Sequence, residues 1–444
     1  MKKKQSFYNL WIKNNGEDIL YNVLTDTTIQ FEKEEVEGIQ FYLEHLDEFE
    51  KEYPDIFKKF ESSGFITDAD MDEKDYILFQ NRMNTLVNKS YHLTINPTLQ
   101  CNYKCWYCCV EDADTQYEQR PMDHTTIEKV KKHIRFMIEK EHISSLYLDW
   151  FGGEPLMYFN EVIMPISEIG LKLAEDYNIP FFQHATTNAY YIDDHMIDQF
   201  NKVKMNHFQI PIDGHEKKHN SVKNMEGEGH YRKIINSVNA ICERVENAGI
   251  ILRINYDHQT LKSILSVIED IRPENREKIM VDFQRVWQIG VTKDESGNNQ
   301  LLLDVREAFS EAGFATYYAI FSHKNFRSCY SDSFYHRAVN YDGKIFKCTA
   351  RNYADDLCIG TFNDDGSIAY NRKLLSTMYS EATFKNEKCL ACKILPLCYG
   401  PCIQKFYEIK TGKSKLQCPY EKSEMTFNAY IMDKAKTRKS QIMS

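Results

Sequence analysis

The chain lacks any window of about eighteen uncharged apolar residues, which excludes a transmembrane helix. It also lacks a secretory signal. The N-terminus, MKKKQSFYNLWIKNNGEDIL, starts basic but has no apolar run behind the lysines, so the triplet reads as a solvated tail. Long basic runs are missing too. Lys and Arg number 55 against 65 Asp and Glu, a net charge of −10, which argues against nucleic acid and membrane surfaces as partners. No internal repeat or low-complexity segment occurs, so solenoids and disordered tails are set aside. These absences leave a cytoplasmic protein as the expectation.

What is present is a 444-residue chain with 42% hydrophobic and 27% charged residues, a globular composition long enough for two or three domains. Cysteine is the informative residue. Thirteen occur, at 101, 105, 108, 109, 242, 329, 348, 358, 389, 392, 398, 402 and 418. All but Cys242 fall into two groups. An odd count without a signal peptide argues against a disulfide framework, and clustered thiols in a reducing compartment more often bind metal.

The expected fold is α/β: a partial (βα)6 barrel, with a small N-terminal α+β domain and a loop-rich, cysteine-rich C-terminal domain. The expected boundaries are 1–88, 89–310 and 311–444. In the first unit, SFYNLWI and ILYNVLTD flank the turn-like Asn14-Asn15-Gly16-Glu17-Asp18 and read as a hairpin. A charged helical stretch follows from about Glu32 to Ser62, Gly64 stops it, and Phe65-Ile66 starts a further short strand. From Tyr91, six β-rich runs alternate with helical patterns: YHLTINPTL, SSLYLDWFGG, FFQHATTNAY, NHFQIPIDG, IILRINYD and KIMVDFQRVWQ. Ile127, Val130, Ile134, Met137 and Ile138 mark the first helix between them. Such alternation implies parallel βαβ units, which bind ligands at the carboxyl ends of their strands. From about Leu301 the alternation fades.

Cys101, Cys105 and Cys108 follow the first strand with C-x3-C-x2-C spacing. Three thiolates on one loop hold one corner of a cubane iron–sulfur cluster and leave the fourth iron without a protein ligand. Structural zinc wants four ligands, usually from C-x2-C pairs. Cys109 is a fourth in principle, but adjacent side chains point apart and it reads as a packed free thiol. With Tyr107 before the last cysteine, the segment resembles the radical SAM superfamily. Gly152-Gly153-Glu154-Pro155, at the end of the second strand, strengthens the resemblance. In that family this segment binds the amino group of S-adenosylmethionine: glycines let backbone approach the ammonium and a carboxylate balances its charge. The resemblance extends to Thr187 and Asn188 at the end of the third strand and Asp213 at the end of the fourth as cofactor-binding residues. Pro211 replaces the hydroxyl residue usual in the family, and Lys223 stands where relatives carry arginine after His219. Arg253 and Asn255 are placed to line the cleft.

The second group runs Cys329, Gly343, Cys348, then Cys389-x2-Cys392-x5-Cys398-x3-Cys402, then Cys418. This is similar to the SPASM domain, an extension of some radical SAM enzymes. By that resemblance Cys329, Cys348 and Cys402 hold a first auxiliary four-iron cluster, and Cys389, Cys392, Cys398 and Cys418 hold a second. Cys358 is the candidate fourth ligand of the first, unless that iron stays open. A zinc ribbon is the alternative that C-x2-C spacing allows.

The resemblance implies three [4Fe-4S] clusters and S-adenosyl-L-methionine. It implies reductive cleavage to a 5′-deoxyadenosyl radical that abstracts hydrogen from an unactivated carbon. An external reductant of flavodoxin or ferredoxin type supplies the electron. The substrate implied is a precursor peptide of a ribosomally synthesised natural product, modified by a thioether, a carbon–carbon crosslink or another side-chain change. The N-terminal unit is loosely similar to the winged-helix-like element that binds leader peptides. Two alternatives remain: a maturase that makes formylglycine in a sulfatase, and a non-catalytic iron–sulfur electron carrier or scaffold. Asp213, Asp282 and Arg285 are strand-end candidates for acid or base, with none distinguished.

Overall fold

Aromatic and β-branched residues alternate with polar ones near the N-terminus, and this pattern forms strands. In the computed structural model these are β1 (Lys3–Gln5), β2 (Asn9–Ile12), β3 (Glu17–Asn22) and β4 (Thr27–Glu32). The structure describes residues 2–13, 17–108, 110, 120–223, 230–257, 259–286, 288–290, 299–317, 326–380, 384, 386–415, 418, 423 and 425–443. The turn residues Asn14, Asn15 and Gly16, and Cys109, lie outside these. β2, β3 and β4 form an antiparallel sheet, while β1 pairs with β5 (Ile66–Asp68). The hairpin expected from the sequence is β2–β3, and β4 extends it by one strand.

The charged helical stretch divides into three: α1 (Lys33–Glu44), α2 (Leu46–Glu52) and α3 (Pro54–Ser62). Its breaks have local causes. The His45 ring nitrogen Nδ1 lies 2.9 Å from the Phe41 carbonyl, where it closes the end of α1. Tyr53 precedes Pro54, whose ring disfavours helical backbone in the residue before it. Gly64, at φ +83°, turns the chain out of α3 in the left-handed conformation glycine favours. Leu20, Phe31, Phe49, Phe57, Phe60 and Phe65 form the unit's own core. Tyr8, Ile12 and Tyr21 form a second core with Leu395, Leu397 and Ile431, so the two ends of the chain pack together. From there α4 (Glu73–Arg82), capped by Asp72, leads towards the large sheet.

All six expected strands form: β6 (Ser90–Ile95), β7 (Ser145–Trp150), β8 (Phe181–Thr186), β9 (Met205–Ile212), β10 (Gly249–Tyr256) and β11 (Ile279–Arg285). They lie side by side in chain order and every pair is parallel. Outward residues such as Leu93, Leu148 and Ile210 are fully buried under the helices. Among these helices, α5 (His124–Glu139) buries Ile127, Val130, Ile134, Met137 and Ile138. Asp123 caps it by accepting from Thr126 N. Next come α6 (Met164–Asp176), α7 (Asp194–Lys202), α8 (Glu216–Lys223) and α9 (His230–Arg244).

The sheet continues at both edges. β12 (Ala315–Tyr317) pairs with β11, and β13 (His336–Val339) pairs parallel with β6. β14 (Lys344–Phe346), β15 (Gly360–Phe362) and β16 (Ile368–Tyr370) then extend it antiparallel to eleven strands. In this order β12 and β16 stand at opposite edges, so the sheet is open. No described helix is long and apolar enough to cross a membrane.

Candidate cofactor site

The cysteine loop after β6 is bound to the loop after β7 through backbone. Gly153 N donates to Thr98 O at 3.1 Å and Glu154 N to Gln100 O at 2.7 Å. This approach requires both glycines. A Cβ on Gly152, which has φ +114°, would stand 2.3 Å from Thr98 O, and one on Gly153 2.0 Å from Gln100 O. The glycines expected to admit an ammonium therefore also admit the cysteine loop.

Glu154 is 1% exposed. Its Oε1 accepts from Leu156 N at 3.0 Å and Thr187 Oγ1 at 2.7 Å, and its Oε2 from Asn188 N at 2.7 Å. Pro155 opens the 3-10 turn that presents Leu156 N. Three of the roughly four acceptor positions of a carboxylate are thus filled, and two of them, from Thr187 and Asn188, fasten the loop after β7 to the loop after β8. Burial pushes the carboxyl up to about 7 against these hydrogen bonds. Asn188 Nδ2 also reaches into the cysteine loop, donating to Asn102 Oδ1 at 2.8 Å and lying 3.9 Å from Cys101 Sγ.

The three thiols share one environment. Cys101 has solvent-exposed surface, yet surrounding protein pushes its thiol up to about 12, with Glu154, Cys105 and Cys108 adding to the shift. Such a group lies in a concavity. Cys108 N donates to Cys105 O at 3.0 Å, which tightens the turn between them. Among the described residues, no three Cys, His, Asp or Glu side chains form a single-ion site. A four-iron cluster takes each thiolate on a different iron, so its ligands stand further apart than those of one ion.

Asp213 contacts the loop rather than standing open at the fourth strand's end. It is 3% exposed and receives the Tyr107 hydroxyl. Lys223 Nζ lies 3.1 Å from its Oδ2, and Asn255 Nδ2 donates to Tyr107 OH at 3.0 Å. Burial works to raise the Asp213 carboxyl, but Lys223, His219 and Tyr107 hold it below the usual carboxylate range. Lys104 N donates to Lys223 O at 3.2 Å, a second tie between α8 and the cysteine loop. Sequence spacing placed Lys223 near the site but gave no sign that Tyr107 and Asp213 pair. Arg253 Nε donates to Asn255 Oδ1 at 3.2 Å. Asp282, 7% exposed, accepts from Gln284 Nε2 on both oxygens. Arg285 donates to Ile289 O.

In the C-terminal region Cys402 hydrogen-bonds Cys329, and Cys348 lies near enough to Cys329 to feel its charge. Asp332 organises them. Its Oδ2 accepts from Ser328 N and Cys329 N at 2.9 and 3.0 Å, and its Oδ1 from Ile403 N at 2.9 Å. Cys358 Sγ instead contacts Gly360 O at 3.3 Å. In the other set, burial raises the Cys389 thiol and both Cys392 and Cys418 raise it further. Cys398 ends a short helix, Leu395–Cys398, six residues past Cys392.

These features define an α/β protein that presents three thiols at the carboxyl ends of parallel strands. Residues 95–271 match the family described as the radical SAM superfamily, so the chain carries a radical SAM domain, and its C-terminal cysteine spacing fits the SPASM extension. No curated protein matches the sequence. Solved structures share the fold. The structure of anSMEcpe with bound AdoMet is 17% identical, covering 78% of this chain and 94% of that one at TM-score 0.53. Streptococcus suis SuiB bound to S-adenosylmethionine is 17% identical, covering 96% and 100% at TM-score 0.50. SuiB bound to its precursor peptide SuiA is 18% identical, covering 93% and 97% at TM-score 0.51. The domain implies an enzyme that uses a four-iron cluster and S-adenosylmethionine. The residues present fit that pair: three thiols in one concavity, beside strand-end loops rich in backbone donors and acceptors.

Proposed function

We propose that this protein is a peptide-modifying radical SAM enzyme that acts on a ribosomally made precursor, with cytoplasmic reducing conditions as its setting. The observation that carries the reading is the joining of two parts. A strand-end three-cysteine site occupies the sheet, and the N-terminal unit shares a core with the C-terminal cysteine region. The SuiB comparison reaches more of the chain than the anSMEcpe comparison, by about the length of that N-terminal unit. SuiB has been solved with its precursor peptide, which supports a similar substrate here. Among the described residues β4 pairs only with β3, so its outer edge is open to strand addition by a leader segment.

Cluster and S-adenosylmethionine together supply hydrogen abstraction from an unactivated carbon. The chain's own residues do the rest. Gly152, Gly153, Glu154, Pro155, Thr187 and Asn188 hold the loops around Cys101, Cys105 and Cys108, while Tyr107, Asp213 and Lys223 fix the far side. Cys329, Cys348 and Cys402 bind one auxiliary cluster and leave its fourth iron without a protein thiolate, since the thiol of Cys358, the other candidate ligand, is turned to Gly360 O. Cys389, Cys392, Cys398 and Cys418 bind the other. A flavodoxin- or ferredoxin-type protein is the electron donor.

Mass spectrometry of short peptides encoded beside the gene, co-expressed with and without the enzyme, tests the substrate. A loss of about two hydrogens fits oxidative crosslinking. Unchanged peptides, with 5′-deoxyadenosine still released, would reject this substrate class and leave sulfatase maturation as the alternative. Anaerobic reconstitution separates both from an electron carrier, which would release no 5′-deoxyadenosine.

A further inference from the structure

The concave inner face of the sheet carries polar groups that the cofactor site does not use. Register sets Thr94 beside Asp149, Asp149 beside His184, and His184 beside His207. One step towards the strands' amino ends, His92 lies beside Tyr147 and Tyr147 beside Phe182. His92 Nδ1 is 4.0 Å from Asp149 Oδ2, and His184 Nδ1 is 3.7 Å from Asp149 Oδ1. Both distances are too long for hydrogen bonds, and no described residue hydrogen-bonds this carboxylate. The His92, Asp149 and His184 side chains are 26%, 28% and 28% exposed, so they open onto the concavity.

Among the described residues no lysine or arginine pairs with Asp149. Burial alone raises its carboxyl, to about 7. Burial also lowers His92 and His184 to about 4, so both imidazoles are neutral near pH 7. Arg327 acts on His92 but not on Asp149. Below the carboxylate the rings form a row. His92 stacks on Tyr147 with centroids 4.1 Å apart at 7°, and Tyr147 on Phe182 at 4.5 Å and 16°. A part-buried carboxylate without a counter-charge favours a cation beside it, and the stacked rings, whose faces cover one another, give a methylene stem an apolar floor.

We propose that Asp149, flanked by His92 and His184 above the His92–Tyr147–Phe182 stack, binds a cationic side chain, the ammonium of lysine or the guanidinium of arginine, in the substrate. This rests on the peptide-substrate reading. Asp149 lies three residues before Gly152 on β7, and His184 three before Thr187 on β8. The bound cation therefore sits just beneath the cofactor loops and places the neighbouring part of the peptide against them.

Calorimetry on the iron-loaded enzyme with S-adenosylmethionine tests this with three probes: the Nα-acetyl methylamides of lysine, arginine and norleucine. At least one cationic probe is expected to bind about tenfold or more tightly than the norleucine probe, as a desolvated charge pair allows. In Asp149→Asn that preference is expected to fall below about twofold, with iron content and melting temperature checking the variant's integrity. Asp149→Ser carries the same comparison if the amide variant fails to load iron. Equal affinity of all three probes for the wild-type enzyme would overturn the site, as would an undiminished preference in the variants. No peptide modification is read, so a failure here is distinct from a failure of the co-expression experiment.

Discussion

The two groups of cysteines are held by different means. Cys101, Cys105 and Cys108 sit on a loop fixed by an extended parallel sheet, by backbone bonds to Gly153 and Glu154, and by the buried Tyr107–Asp213–Lys223 cluster. The C-terminal cysteines sit where regular structure is thin. Cys389 and Cys398 belong to helices of four residues each, Glu387–Leu390 and Leu395–Cys398, and Cys418 is exposed. The first site is shaped by the fold before anything binds. On the proposed reading the second depends on bound clusters to complete it, as small metal-held domains do.

The largest effect is expected from cysteine replacement. Cys105→Ala is expected to abolish 5′-deoxyadenosine release and to remove about four irons of about twelve, with little change in melting temperature. Cys392→Ala is expected to remove a similar amount of iron but to lower the melting temperature markedly. Equal melting shifts in the two variants would break the contrast. Next comes Lys223→Met, which leaves Asp213 buried without its cation and is expected to cost about 3–5 kcal/mol, read by denaturant unfolding of the iron-loaded protein. A loss below about 1 kcal/mol would mean that the cluster loop does not depend on this pair.

Gly153→Ala sharpens the same point at smaller scale. Its Cβ meets the Gln100 carbonyl, so a cost of about 1–3 kcal/mol is expected, together with weaker S-adenosylmethionine binding by calorimetry. The smallest effect is expected from Cys358→Ser. Its thiol is directed to Gly360 O, and stability is expected to change by less than about 0.5 kcal/mol with iron content unchanged. A loss of about four irons would instead make Cys358 a ligand of the first auxiliary cluster.

The strands and the thiol loops were legible in the sequence because their signals are local. Ile127, Val130, Ile134, Met137 and Ile138 repeat at helical spacing, and the β-rich runs end at the motifs they present. Contacts between distant segments were not legible. β13 pairs with β6 from the far end of the chain, and no periodicity announces it. Asp213 reads as an open strand-end carboxylate until Tyr107 and Lys223 are seen around it. Glu154 reads as a counter-charge, yet two of its hydrogen bonds tie two loops together. Asp149, His92 and His184 meet only through register across three strands. β4 was hidden because TTIQFE runs directly into the charged helix that follows.

The shared core of Tyr8, Ile12 and Tyr21 with Leu395, Leu397 and Ile431 also sets an order of events during synthesis. At ribosomal rates of about 5–20 residues per second, Ile431 emerges roughly 20–90 s after Tyr8. Of that core, only Ile77 of α4 is made early enough to cover this face of the β2–β4 sheet during the interval. The N-terminal unit has its own phenylalanine core, but it stays adhesive on one side until Leu395, Leu397 and Ile431 arrive. That exposed side is where a nascent chain would meet a chaperone or a neighbouring copy, and a truncation that removes the helix Phe427–Met443, which carries Ile431, would leave part of it exposed permanently.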